Sequence, residues 1–163
     1  MLLSRLTVAF DRILGRRSYR IHRFLYRLTR GIIGHRTPLG PMLLLTTTGR
    51  RTGEARTSPL LYMPDGGDVL VVGSNGGRDR PPAWVLNLTA TPAVSVQVGR
   101  DRFSALAIVL GDAEKAAMWP RLAHHYKGWS YYQTITQREL AVVLLARVHE
   151  NALAGNVLVA HGR

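Results

Sequence analysis

The chain has 163 residues, 46% of them apolar, no cysteine and a formal charge of +12. That length fits one domain with a buried core. The missing cysteine excludes disulfides, thiol catalysis and zinc–thiolate sites and leaves the compartment open. No apolar run approaches the roughly 18 residues of a membrane-spanning helix. Met1 to Phe10 is too short for a secretory leader and no small-residue cleavage site follows, so the expectation is a cytoplasmic protein.

The charge is uneven. Residues 1–36 hold nine arginines against Asp11 alone, which is +8 of the total. This sets residues 1–38 apart as a basic N-terminal segment, ahead of a body at 39–150 and a tail at 151–163. Leu2, Leu3, Leu6, Phe10, Ile13 and Leu14, then Ile21, Phe24, Leu25, Leu28 and Ile32, recur at spacings of three and four, which predicts an amphipathic helix. Gly15 bends it, and Gly31, Gly34 and Pro38 end it. Two readings stand side by side. The helix packs on the body and solvates its arginines, or it lies peripherally on the anionic inner face of the cell membrane. Nucleic acid is the weaker third partner, because no zinc-finger, RNP-type or helix-turn-helix pattern accompanies the charge.

From Pro41 the pattern turns strand-like. Met42 to Thr47 and Thr57 to Met63 are apolar and β-branched runs. Pro64-Asp65-Gly66-Gly67 signals a hairpin turn into Val69 to Gly73. Pro81-Pro82 opens a short helix over Ala83 to Leu88, and Thr91-Pro92 ends it. Val94, Val96 and Val98 alternate with polar residues, and Gly99-Arg100-Asp101 turns the chain into Phe103 to Leu110. Asp112 is the expected cap of a helix over 113–125. Lys127 to Arg138 is irregular or a short helix, Leu140 to Val148 a final strand, and the tail has no pattern. Five or six closely spaced strands with one longer helix predict a small antiparallel barrel and argue against a doubly wound parallel sheet.

Two Gly-flanked turns stand out, Gly49-Arg50-Arg51-Thr52-Gly53 and Ser74-Asn75-Gly76-Gly77-Arg78. Glycines let the backbone approach a ligand, successive amides form an anion-binding concavity, and arginine adds charge and a bidentate fork. Neither turn is a P-loop or a nucleophile elbow. Two such turns on one small sheet point to a long anionic cofactor. Trp119, with Met118 and Leu122, reads as core. The adjacent His124 and His125 diverge on a helix and lack a spaced third ligand, so no metal site is read.

The residues from Thr47 through Gly53, then Arg56, Pro59-Leu60, Asp65-Gly66-Gly67, Ser74 to Gly77, Trp84, Asn87-Leu88 and Tyr126 to Gln133 resemble the deazaflavin (coenzyme F420)-dependent nitroreductase family. This is the A branch of the actinobacterial deazaflavin-dependent oxidoreductases. The resemblance covers about residues 40–148. It implies a mainly β, split barrel of the FMN-binding type with flanking helices. It also implies an enzyme that passes a hydride from reduced F420 to a quinone-like or nitroaromatic acceptor. Arg50, Arg51 and Arg56 would hold the phospholactyl-glutamate tail, and Pro59 would be a further cofactor-binding residue. Ser74, Asn75, Gly76 and Gly77 would hold the phosphate and ring edge, with Trp84 and Asn87 completing the cradle. Tyr126, Trp129 and Tyr132 would cover the acceptor.

The chain departs from the family in two places. Leu61 stands two residues after Pro59 where a tyrosine is common, and Trp129 replaces the middle tyrosine of Y-x-x-Y-x-x-Y. Indole keeps the stacking surface but is a poor acid, so Ser74, Tyr126, Tyr132 or water is left as the proton source. Competing readings are an FMN-binding split-barrel oxidoreductase, a non-catalytic deazaflavin carrier, and a basic membrane- or nucleic-acid-binding module. Monomer and homodimer are both open.

Overall fold

The computed structural model describes the backbone of residues 36 and 37 and all of residues 40–149. The expected N-terminal amphipathic helix and the tail lie outside the described residues. Among the described residues seven strands run in chain order: β1 Arg36–Thr37, β2 Gly40–Thr48, β3 Ala55–Asp65, β4 Asp68–Val72, β5 Ala93–Val98, β6 Asp101–Val109 and β7 Val142–Arg147. Three α-helices interrupt these strands, α1 Ala83–Ala90, α2 Asp112–His125 and α3 Lys127–Thr134.

Each strand pairs antiparallel in the order β1-β2-β3-β4-β7-β6-β5, and β2 also pairs with β5. That last ladder, Leu44 opposite Gln97 and Thr46 opposite Ser95, closes six strands into a barrel. Closure leaves β2 to β7 without the long free edge an open sheet would carry. Strand β3 switches neighbours at its middle, pairing with β2 through 55–61 and with β4 through 62–65.

The two-residue period of the strands fills the interior. Leu43 and Leu45, Val69 and Val71, Val94 and Val96, Ala105 and Ala107, and Val143 and Leu145 all belong to one buried cluster. Helix α1 adds Trp84, Val85 and Leu88 to the same cluster. A second apolar layer lies outside β4 and β7, where Leu70, Val72 and Val142 meet Leu122 of α2 and Trp129 and Tyr132 of α3. These two strands are therefore covered on both faces, and their apolar residues run consecutively rather than alternating with polar ones.

Among the described residues the expected strands and helices are present, with one difference at the start of α2. Of the two readings of residues 127–138, the short helix is the one observed, as α3 over the first eight residues. The cap of α2 is Gly111 rather than Asp112, which is the first helical residue. Gly111 is extended, and its N–H donates to the Glu114 carboxylate at 3.1 Å. The carboxylate three residues on thus satisfies the helix entrance from inside the first turn.

Strand polarity fixes the two ends of the barrel. Thr48, Ala55, Val72, Ala93, Val109 and Val142 all lie toward one rim, as the strand registers require. Both Gly-flanked turns, 49–53 and 74–77, connect strands or helix at that rim.

Candidate active site

The β2–β3 connection is tied by its own backbone. Gly49 N–H donates to Glu54 O at 2.8 Å, and Gly53 N–H donates to Gly49 O at 2.7 Å. Gly53 sits at φ +69°, a conformation that a side chain disfavours. The turn holds Arg50 and Arg51 out in solvent. Among the described residues neither makes an ion pair. Arg56 follows on β3 and pairs with Glu54 at 2.5 Å. Both partners are largely exposed, so the pair is weakly held and Arg56 can be drawn to a stronger anion.

Asn87 fastens this turn to α1. It is 5% exposed, its Nδ2 donates to Thr47 Oγ1 at 3.2 Å and its Oδ1 accepts from Arg50 N–H at 3.2 Å. Thr47, itself 2% exposed, also donates to Arg56 O at 3.4 Å. Trp84 lies one turn before Asn87, so both reach the same side of α1. Between them a cleft of about 590 Å³ opens, walled by Arg50, Arg51, Arg56, Ser58, Trp84 and Asn87. A cleft of that size suits a small-molecule ligand.

The second turn lies at the same rim, just ahead of α1. Ser74 is right-handed at φ −70°, ψ −34°. Asn75, Gly76 and Gly77 follow at φ +48°, +63° and +73°. A right-to-left change of hand directs successive amides toward one side. The turn packs closely on its neighbours. A Cβ on Gly73 would lie 2.7 Å from Val85 Cγ2 of α1, and one on Gly77 2.5 Å from Ile135 Cδ1. Arg138, which the sequence reading passed over, donates to Gly73 O at 3.1 Å, Ser74 O at 3.0 Å and Arg78 O at 3.2 Å. Partial burial lowers the pKa of its guanidinium, and the Asp79 charge opposes that shift.

The structure thus brings Arg50, Arg51, Arg56, Trp84 and Asn87 into one cleft and sets Ser74, Asn75, Gly76 and Gly77 at the same rim. It does not bring the other expected site residues there. Pro59 is buried within β3 opposite Leu44. Trp129 and Tyr132 are 3% and 2% exposed in the outer apolar layer, and Tyr126 is half-buried beside them. Trp129 stacks on His125 with centroids 6.2 Å apart and meets Tyr126 edge-on at 5.5 Å. The backbone of α3 supports the Gly77 turn from behind.

Residues 18–147 match the family described as F420H(2)-dependent quinone reductase. The chain belongs to the F420H(2)-dependent quinone reductase family. Over 141 residues it is 40% identical to an F420H(2)-dependent quinone reductase of Mycobacterium tuberculosis, covering 84% of this chain and 95% of that protein. The solved structure of an F420-H2 dependent reductase is 34% identical, with a TM-score of 0.60, over 64% of this chain and 93% of the other. A protein described as a domain-swapped dimer is 31% identical, with a TM-score of 0.63, over 77% and 93%. This F420H(2)-dependent quinone reductase family member is therefore an oxidoreductase on a split barrel, with coenzyme F420 as its cofactor. The residues present fit that group. Three arginines and no acid are among the described residues that line the cleft, Trp84 is part of its wall, and the neighbouring turn offers amides to an anion.

Proposed function

We propose that the cleft between the 49–53 turn and α1, together with the Ser74–Gly77 turn, holds reduced F420 while a quinone-like acceptor is reduced beside it. The observation that carries this reading is the Asn87 bridge. One buried amide joins the arginine turn to the helix that supplies Trp84, so charge and flat surface sit at fixed distance. When bound, reduced F420 supplies a hydride from its deazaflavin C5; the protein supplies binding, orientation and exclusion of water.

Arg50 and Arg51 neutralise the anionic tail, and Arg56 joins them by leaving Glu54. Trp84, buried in the barrel core yet among the residues lining the cleft, backs the wall against which the ring would lie. Ser74, whose turn lies at the same barrel rim as the cleft, is the proton source this reading favours. The Tyr132 side chain is buried with Leu122 and Leu140 in the outer layer, and in this reading it serves packing. Tyr126 and Trp129 then act by shaping the outer layer that α3 presents. Nitroaromatic acceptors are the second reading. They need no side-chain acid that the quinone reaction lacks, because Ser74 or water serves either.

The test is a titration of tryptophan fluorescence with oxidised F420, with FMN as rival. Saturable quenching that is weakened by Arg51→Ala and largely removed by Trp84→Phe is expected, followed by turnover of menadione with reduced F420. Preference for FMN, or no binding of either, sinks the reading. For residues 1–36 the arginine-rich amphipathic pattern supports peripheral contact with an anionic bilayer; among the described residues no helix is long and apolar enough to cross one. Flotation with phosphatidylglycerol vesicles, reversed by salt, is the check, and failure to float refutes it. Similarity to a domain-swapped dimer supports a homodimer, which light scattering would contradict by giving the 18.1 kDa mass of one chain.

A further inference from the structure

We propose that Arg138 is a positioning residue for the cofactor: it holds the Ser74–Gly77 turn so that its amides face the anion, without touching the ligand itself. The inference rests on the reading of that turn as part of the F420 site.

An arginine fork usually seeks a carboxylate. Here every donor goes to backbone. Nη1 bonds Gly73 O at 3.1 Å and Glu139 O at 3.3 Å, Nη2 bonds Ser74 O at 3.0 Å and Arg78 O at 3.2 Å, and Nε bonds Arg78 O at 3.4 Å. The nearby acid, Asp79, accepts instead from Thr136 at 3.3 Å. Arg138 therefore spans the turn from its first residue to just past its last.

A trans peptide directs its C=O and the next N–H to opposite sides. Fixing Ser74 O against Arg138 aims Asn75 N–H away from it, toward the outer side of the turn. Gly77 N–H also donates to Ser74 O, at 2.9 Å, so that peptide plane is pinned twice. Ser74 N–H is used locally, bonding Val72 O at 2.9 Å. Among the described residues the Asn75 and Gly76 N–H groups donate to no protein acceptor. Two glycines and an asparagine enter the left-handed region at little cost, so that preference permits the turn without fixing one geometry; the fork fixes it, together with the bond from Asn75 Nδ2 to Arg80 O at 2.9 Å. A cation behind the Ser74–Asn75 peptide also polarises its N–H toward an anion in front.

The test uses the full chain with Arg138→Lys, Arg138→Met and, as a control that alters the turn without touching Arg138, Gly76→Val. Kd for oxidised F420 is read by fluorescence, KM and kcat with menadione, and hydrogen exchange of residues 74–77 in cofactor-free protein. Arg138→Met is expected to raise Kd and KM for F420 about tenfold or more, with kcat at saturation changed less than about twofold, and to speed exchange in the turn. Arg138→Lys, which keeps the charge and loses the fork, should fall between wild type and Met. A lysine variant with wild-type Kd and wild-type exchange overturns the inference, even if the methionine variant fails to fold. If Gly76→Val weakens binding while Arg138→Lys does not, only the role of Arg138 falls. If Gly76→Val leaves Kd unchanged, the reading of the turn as cofactor site fails and takes this inference with it.

Discussion

Replacing Asn87 with alanine removes both hydrogen bonds that fasten the arginine turn to α1. Arg50 N–H loses its acceptor and Thr47 Oγ1 loses its donor, in a place where Thr47 and Asn87 are nearly closed to water. Each bond is worth about 1 kcal/mol, and a buried group left unmet costs about 1–3 kcal/mol. Thr47 keeps a long bond to Arg56 O, and Arg50 N–H borders the open cleft, so the lower part of that range applies. We expect a loss of about 2 kcal/mol, which for a domain of this size lowers Tm by about 4–8 °C. Thermal unfolding and F420 titration are the assays. Because the turn carries Arg50 and Arg51, Kd for F420 should rise about tenfold as well.

Asn87→Asp separates the two effects. The carboxylate still accepts from Arg50 N–H, and the Thr47 hydroxyl can rotate to donate to it. Stability should fall less than in the alanine variant, while affinity for the anionic cofactor falls more, because a negative charge now lines its cleft. If Asn87→Ala unfolds within about 1 °C of wild type, the bridge contributes little and the reasoning from unsatisfied groups fails. If it is destabilised yet binds F420 as wild type does, the turn does not need the bridge.

Arg51→Ala should raise KM for reduced F420 more than Arg56→Ala does, and Glu54→Gln, which frees Arg56, should lower it about two- to fivefold; steady-state kinetics across salt concentrations decide, and equal effects of the two arginine variants refute the distinction. Gly77→Ala should cost about 1–2 kcal/mol, chiefly from its φ of +73°. Ile135 is exposed and can move aside, so adding Ile135→Ala should restore little; full recovery of Tm in the double variant would place the cost in the clash instead. Lys115, by its hydrogen bond and its charge, holds the Glu139 carboxyl below the usual carboxylate range. A depressed folded-state pKa means stability present above the unfolded value and lost as pH falls through the folded one. Tm followed from about pH 6 to about pH 3 should therefore drop slightly more steeply in wild type than in Glu139→Gln, and parallel curves would deny the coupling.

Local chemistry settles a good deal here before any contact is known. The alternation of Val94, Val96 and Val98, the Gly66–Gly67 turn and the Pro81-Pro82 helix start each act over a few residues, so the strands and α1 can be read directly. The two arginine- and glycine-bearing turns are legible for the same reason, since φ preference and charge belong to the residues themselves. The spacing of Trp84 and Asn87 already sets them on one side of α1.

What lies between distant segments could not be read this way. Asn87 meets Arg50 across 37 residues only because the β2–β5 ladder closes the barrel and α1 enters its core. Arg138 looks like one more surface cation until the chain after α3 runs back beside β4. Trp129 and Tyr132 share a motif with residues expected at an acceptor, yet α2 and α3 pack on the outer face of β4 and β7, and that layer buries them. The cap of α2 moved by one residue because Glu114 could reach Gly111. The strands and α1 of the barrel, the charge and the turn chemistry were legible in the residues because they are properties of short stretches. Tertiary structure alone decided which of those residues share a cleft, because barrel closure and helix packing depend on surfaces that no local pattern specifies.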